Sequence, residues 1–270
     1  MTTLAEAIAV AERLWPLDGA EEWDAPGLVT GDPAASVRRI LLAVDAVAAT
    51  VDEAREAHAD LMLVHHPLLL RGVTSIAEST AKGALLTRLV RANCALYAAH
   101  TNADIVESGT SGRLAELLGI VDALPIVETE PGLGLGRVGS LPEPTTLGAL
   151  ARRLASILPA TATGVRVAGE YDRPVQRVAL CGGAGDSLLG HAGVRGADAY
   201  ITADLRHHPA SEAIESAKVA GGPALIDVSH WASEWLWLDV AAGQLRHALP
   251  GVEVLVSELR TDPWEFVVVQ

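Results

Sequence analysis

The sequence predicts an α/β protein of two lobes. Three observations carry that expectation. Short apolar runs of Val, Leu, Ile and Ala alternate with amphipathic helical patterns for most of the length, the rhythm of β-α-β units with right-handed crossovers and a parallel sheet. The chain has 270 residues, 50% of them hydrophobic, which is enough for a substantial core and for more than one lobe. Around residues 125–145 the texture changes to Gly and Pro, which places a boundary at its start.

Element by element, residues 2–15 have the apolar period of a helix. RRILLAVDA (38–46) is a short continuous apolar run, the pattern of a strand buried on both faces. A helix over 51–59 leads to the strand LMLVHH (61–66), which Pro67 stops. A helix over about 80–93, the strand ALYAAH (95–100) and a helix near 110–118 come next. The second lobe is expected to hold a helix near 145–157, strands near 164–169 and 177–182, and a short helix. The strand AYITAD (199–204), a helix over 209–219, the strand ALIDV (224–228), a long helix from His230 and the strand VEVLVSE (252–258) complete it. Three segments are therefore expected: 1–124, 125–223, and a C-terminal segment 224–270. The GLGLG run (132–136) lacks the following helix that a dinucleotide-binding turn requires, and reads as linker.

Composition narrows the function classes. With 20 Lys and Arg against 34 Asp and Glu, the net charge is -14, which opposes binding to a phosphate backbone. Cys94 and Cys181 each sit in an apolar run, the pattern of buried thiols in a reducing compartment. The first fifteen residues carry acids and no basic-then-apolar signal pattern, and no stretch reaches the length of a membrane span. A soluble cytoplasmic protein is expected.

Three motifs carry metal-ligand chemistry. LVHHPLL (63–69) puts His65 and His66 at a strand end, the edge where open parallel sheets collect ligands. Neighbouring side chains of a regular strand face opposite ways, so the pair either serves two ions or converges at the break before Pro67. YAAHTNAD (97–104) brings His100 and Asp104 to the same edge, with Thr101 and Asn102 able to support them. In DVSHWASEW (227–235), Ser229 is a good N-cap, and His230 and Glu234 stand at i and i+4 on one helical face. Imidazole with carboxylate suits zinc, iron, manganese, cobalt or nickel. Four of the nine histidines fall in these clusters, each at the C-terminal end of an expected strand. ITADLRHHP (201–209) adds Asp204, His207 and His208 after another strand, as proton donors, substrate contacts or a polar loop. His58, His191 and His247 read as surface or structural, and Trp231, Trp235 and Trp237 as core or subunit contacts.

AEEWDAPGLVTGD (20–32), LVHHPLL, AAHTNAD, ITADLRHH and LIDVSHWASEW, in that order, resemble the motifs of the NIF-three-like family, whose members are labelled GTP cyclohydrolase 1 type 2 homologues. The resemblance covers essentially the whole chain. It implies two α/β lobes, the first completed by the C-terminal segment, in a toroidal homohexamer with two metal ions per chain. It also implies the ligand set: His66 and Asp104 on one ion, His65 and His230 on the other, and Glu234 bridging. Ala25 replaces the family's Asn, Ser229 its Gly, Asp204 its Glu and His207 its Tyr, while His208 matches the family histidine. The expected function is a metal-dependent hydrolase of a nucleotide or other small phosphorylated or heterocyclic substrate, with His100, Asp204 and His208 as catalytic candidates. The alternative is a noncatalytic metal-binding, regulatory or delivery module. The expected partners are further copies of the chain and a small molecule, with neither nucleic acid nor a membrane.

Overall fold

The computed structural model describes residues 1–269. It is a mixed α/β protein whose chain divides into two compact units. The first comprises Met1–Ala103 and Leu238–Thr261; the second comprises Asp104–Trp237 and the residues from Asp262 onward.

In the first unit the apolar runs form the strands Arg39–Ala43, Leu61–Val64 and Ala95–Ala98, which pair in parallel in that order. Glu253–Val256 joins Arg39–Ala43 in parallel on the outer side. Gly27–Thr30 closes the other edge antiparallel to Ala95–Ala98. Every residue of Leu61–Val64 and of Ala95–Ala98 is buried, as a strand covered on both faces must be. Each such Leu, Val or Met contributes about 1.5–3 kcal/mol of burial. The helices Leu4–Leu14, Ala48–Glu56 and Ala81–Arg91 match the expected periods. Thr3 and Glu6 form a capping box, each side chain bonding the other's backbone N–H.

The second unit is built on a six-stranded mixed sheet. Its centre, Pro174–Ala184, Ala199–Ala203 and Ala224–Val228, is parallel; Arg137–Thr146, Val121–Leu124 and Arg166–Ala168 add antiparallel edges. The Gly-rich run is an ordered hairpin, Val127–Glu130 with Leu133–Leu135, that turns at Gly132 (φ +81°). Buried Arg137 holds it by donating to the carbonyls of Gly134, Gly136 and Val106. A strand comes after the run, as a dinucleotide loop would not allow.

The division differs from the one expected near residues 125 and 224. The first unit passes to the second inside the helix Thr101–Asp104, where composition does not change. Ala224–Val228 pairs with Ala199–Ala203 and so stays in the second unit; the return to the first begins at Leu238. The long helix expected from His230 is two helices, His230–Trp235 and Trp237–Ala248, separated at Leu236. Trp231 and Trp237 are buried.

Candidate functional site

In the first unit the strand Leu61–Val64 ends before both histidines, so His65 and His66 escape the alternation of strand side chains. Their backbone N–H groups continue the ladder onto the carbonyls of Ala43 and Val44. Their rings converge, with centroids 5.1 Å apart. His100, from the end of the neighbouring strand, brings its ring to 5.3 Å from His65 and 5.5 Å from His66. Each of the three offers a nitrogen within 4.8 Å of the others, which is ligand-cluster spacing.

An oxygen acceptor orients each of these rings. His65, fully buried, donates from Nδ1 to the carbonyl of Ala99 at 2.8 Å. His66 Nδ1 meets Asp45 Oδ1 at 2.7 Å, and His100 Nδ1 meets Asp24 Oδ1 at 2.8 Å. A proton held on Nδ1 by an oxygen acceptor leaves Nε2 as the lone-pair atom, the state a ligating histidine needs.

Asp24 carries more than His100. Its buried carboxylate also accepts from the backbone N–H of Thr101 at 3.0 Å, from the Thr101 hydroxyl, and from the N–H of Ala25 at 2.7 Å. Burial alone would raise its pKa, but hydrogen bonds from His100 and Thr101 outweigh it and hold the carboxyl well below the usual range. A depressed carboxyl stabilises the fold in full above the unfolded value near 4, and that contribution is lost as pH falls through the folded value. Asp24→Asn should therefore cost about 1–3 kcal/mol at neutral pH by leaving donors unmatched. Its deficit against wild type should shrink as pH drops below about 4. Denaturant unfolding of both proteins at pH 7 and near pH 3.5 measures this; a deficit that grows in acid would refute the assignment.

In the second unit, Ser229 caps the helix His230–Trp235 by accepting from Ala232 N–H at 3.2 Å, in keeping with its position after a strand. His230 and Glu234 share one face, with Nε2 2.9 Å from Oε1. His230 Nδ1 lies 2.8 Å from Asp204 Oδ2. Burial opposes charge on this imidazole, but Glu234 and Asp204 outweigh it and push its pKa up to about 11. Without an ion, the ring therefore holds a proton between two carboxylates. Asp204 occupies the left-handed backbone region (φ +56°), a conformation worth of order 1–3 kcal/mol that a surrounding structure must stabilise. Asp104 accepts from the hydroxyl of Thr110. Burial, and behind it the charges of Asp104 and Glu234, push the Cys181 thiol up to about 12, so this cysteine is inert at neutral pH.

Gly183 forms a cradle beside this pair. Its φ is +68°, and a Cβ there would lie 2.4 Å from Glu234 Oε1 and 3.2 Å from His230 Nε2. Its N–H donates to Ser233 Oγ at 2.9 Å and its carbonyl accepts from Thr202 Oγ1 at 3.0 Å, which pins the backbone in place.

Of the expected residues, His65, His66 and His100 thus gather in the first unit, and His230, Glu234 and Asp204 in the second. His208 lies exposed in the first turn of His207–Ala220, its ring edge-on to His207 at 5.1 Å. His191 caps the short helix Ala192–Arg195 by accepting from Gly193 N–H at 3.2 Å, a structural use that agrees with the sequence pattern. Thr110 and Gly183 do not stand out in the sequence, and Asp24 lies within AEEWDAPGLVTGD without being assigned a role there. For Asp45 a signal exists, since an acid directly after a buried strand stands at the same sheet edge as the paired histidines.

The donor chemistry fits divalent metal ions. His65, His66, His100 and His230 are each steadied by an oxygen acceptor and Asp104 by the Thr110 hydroxyl, while Gly183 lies beside Glu234. Among the described residues, no helix is long and apolar enough to cross a membrane.

Comparison with known proteins gives a consistent result. The family model Duf34/NIF3 (NGG1p interacting factor 3) matches residues 2–263. A Streptomyces coelicolor protein named GTP cyclohydrolase 1 type 2 homolog is 47% identical, covering 98% of this chain and 94% of its own. A Clostridium perfringens protein of the same name is 33% identical, covering 98% and 99%. Among solved structures, a Staphylococcus aureus hypothetical protein is similar at TM-score 0.86 and 26% identity, covering 98% and 99%. A Bacillus cereus protein related to NIF3 has TM-score 0.89 at 24% identity, over 98% and 99%, and supports the fold.

Proposed function

Because this chain belongs to the Duf34/NIF3 family, we propose that it is a hydrolase dependent on two divalent metal ions, held by His65, His66, Asp104, His230 and Glu234. One observation carries the metal reading. Three of these ligands are histidines, and each has Nδ1 committed to an oxygen: the carbonyl of Ala99, the carboxylate of Asp45 and that of Asp204. Such partners fix the ring and raise the basicity of the ligating nitrogen. Two ions, when bound, supply an activated water at neutral pH and neutralise developing negative charge.

The chain's own residues supply the rest. His66 and Asp104 are assigned to one ion and His65 and His230 to the other, with Glu234 bridging. For His230 to serve as a ligand it would have to give up the Nε2 proton that faces Glu234, while Asp204 keeps the one on Nδ1. Asp204 therefore acts by positioning His230, and His100, braced by Asp24, is the better candidate for moving a proton. Exposed His208 remains a second candidate for moving a proton.

A groove of about 540 Å³ in the second unit favours a small-molecule substrate. It is lined by His230 and Asp204 together with Trp264, Phe266, Arg166 paired with Asp227, and Arg206 paired with Asp186, so planar groups find partners there and an anionic group would compete with those carboxylates for the arginines. Nucleotides and other phosphorylated heterocycles are the class this lining suits. The buried free cysteines suit the cytoplasm, and the homohexamer belongs to the same proposal.

Elemental analysis of the purified protein, wild type and His65→Ala/Glu234→Ala, is the test. About two transition ions per chain in wild type and almost none in the double variant are expected. The metal form is then assayed for phosphoester and nucleotide hydrolysis. A wild type that stays empty after reconstitution would overturn the metal reading, and a fully metallated protein inert on every substrate would favour a metal-binding module.

A further inference from the structure

The chain ends its passage through the first unit and re-enters the second at two consecutive residues, Thr261 and Asp262. Each touches the support of a different proposed ligand.

On the first unit's side, strand pairing explains the contact. Glu253–Val256 runs parallel to Arg39–Ala43, with Val256 opposite Leu42. The residues after each strand therefore leave the sheet at the same edge. Asp45 lies beyond one strand and Thr261 beyond the other, and the Thr261 hydroxyl donates to Asp45 Oδ2. The other oxygen of that carboxylate, Oδ1, is the one that holds His66 Nδ1 at 2.7 Å. A carboxylate bonded through one oxygen cannot swing without moving the other, so the hydroxyl limits the rotation that would release the imidazole.

On the second unit's side, Asp262 is buried. Its Oδ1 accepts from Ser229 Oγ at 2.6 Å, and its Oδ2 accepts from Trp264 N–H at 3.3 Å. Ser229 Oγ in turn accepts from Ala232 N–H, the capping bond of the helix whose first residue is His230. Using its proton on Asp262 sets the hydroxyl's lone pairs toward the helix, which is the orientation a cap needs.

From these contacts we infer that Thr261 and Asp262 are positioning residues for the metal ligands, Thr261 acting on His66 through Asp45 and Asp262 acting on His230 through Ser229. The inference rests on the proposed metal function for its purpose, but the contacts exist without any ion. Other residues of the C-terminal segment, such as exposed Val268 and Val269, make no comparable claim.

The experiment uses Thr261→Val, Thr261→Ser and Asp262→Asn in the full-length chain. In metal-free protein, nitrogen-15 NMR of the histidine rings reads the tautomer of His66 and the ring-nitrogen shifts of His230, which lies between two carboxylates. Wild type should hold the His66 proton on Nδ1; Thr261→Val should show a mixture, and Thr261→Ser should restore the single form. Asp262→Asn should leave His66 unchanged and alter His230. Titration with cobalt(II), monitored by its visible absorption, should then show one ion weakened about 10-fold in Thr261→Val, at the low end of what lost outer partners cost. Thr261→Ser should recover that affinity. Thermal melting of the apo proteins checks the fold, and a shift in melting without a change in tautomer would mean the role is only structural. An unchanged His66 tautomer in Thr261→Val overturns the inference whatever the metal does. Failure of wild type to bind cobalt, with the tautomer shifts present, would instead overturn the metal function and leave the positioning intact.

Discussion

Glu234→Gln is expected to strip metal from both proposed positions, whereas Asp104→Asn should lower chiefly one. The difference comes from where the two carboxylates stand. Glu234 is 3% exposed on the inner face of its helix, with Oε1 2.9 Å from His230. A bridging carboxylate lends one oxygen to each ion, and an amide lends a weaker, neutral one to at most one of them. Loss of a ligand should cost at least the roughly 100-fold that marks the upper end for outer partners. The amide is nearly the same size, so packing around it is preserved. Asp104 is held by the Thr110 hydroxyl, a bond that asparagine retains through its own oxygen. Metals counted per chain after dialysis, with cobalt titration for affinity, decide the matter. Equal and complete loss in both variants would argue against Glu234 as the bridge.

The proposed ligand motifs are legible in the sequence because a parallel sheet puts the loops beyond its strands at one edge. His65 and His66, His100 with Asp104, and His230 each come directly after a run of buried aliphatics, and such runs are easy to see. The i, i+4 spacing of His230 and Glu234 and the Ser229 cap can be read for the same reason, since helix geometry is local. Which acid supports which histidine cannot be read. Asp24 meets His100 across 76 residues and Asp204 meets His230 across 26, and although both acids stand in recognisable motifs, nothing local pairs either with its histidine. The convergence of His65 with His66 stays open at the level of sequence, because alternation along a strand says nothing about residues just past its end.

The Gly/Pro texture and the division into two compact units fall at different places for a similar reason. Gly and Pro near 125–145 mark a tight hairpin and its continuation, a local bend and not a change of unit. The actual change occurs within Thr101–Asp104, four residues that look like any helical turn. Thus His100 and Asp104, neighbours in one motif, belong to different units, and only tertiary contacts reveal it.

Gly183→Ala should be the most damaging change that replaces no proposed ligand. Alanine at φ +68° costs about 1–2 kcal/mol in backbone strain alone. Its methyl would also sit 2.4 Å from Glu234 Oε1, closer than real Cβ contacts come. Relief by backbone movement is opposed by the bonds from Gly183 to Ser233 and Thr202, so the carboxylate is the part that must yield. Moving it breaks its register with His230. The melting temperature should therefore fall by roughly 2–8 °C, and metal affinity by more than about 10-fold. Gly132→Ala separates the two causes. It also has a left-handed φ, +81°, but a Cβ there meets nothing within 4 Å. It should lose stability to backbone strain while keeping its full complement of metal. If Gly183→Ala instead binds metal like Gly132→Ala, the carboxylate has room to move, and the glycine is there for the turn of the chain and not for the proposed ions.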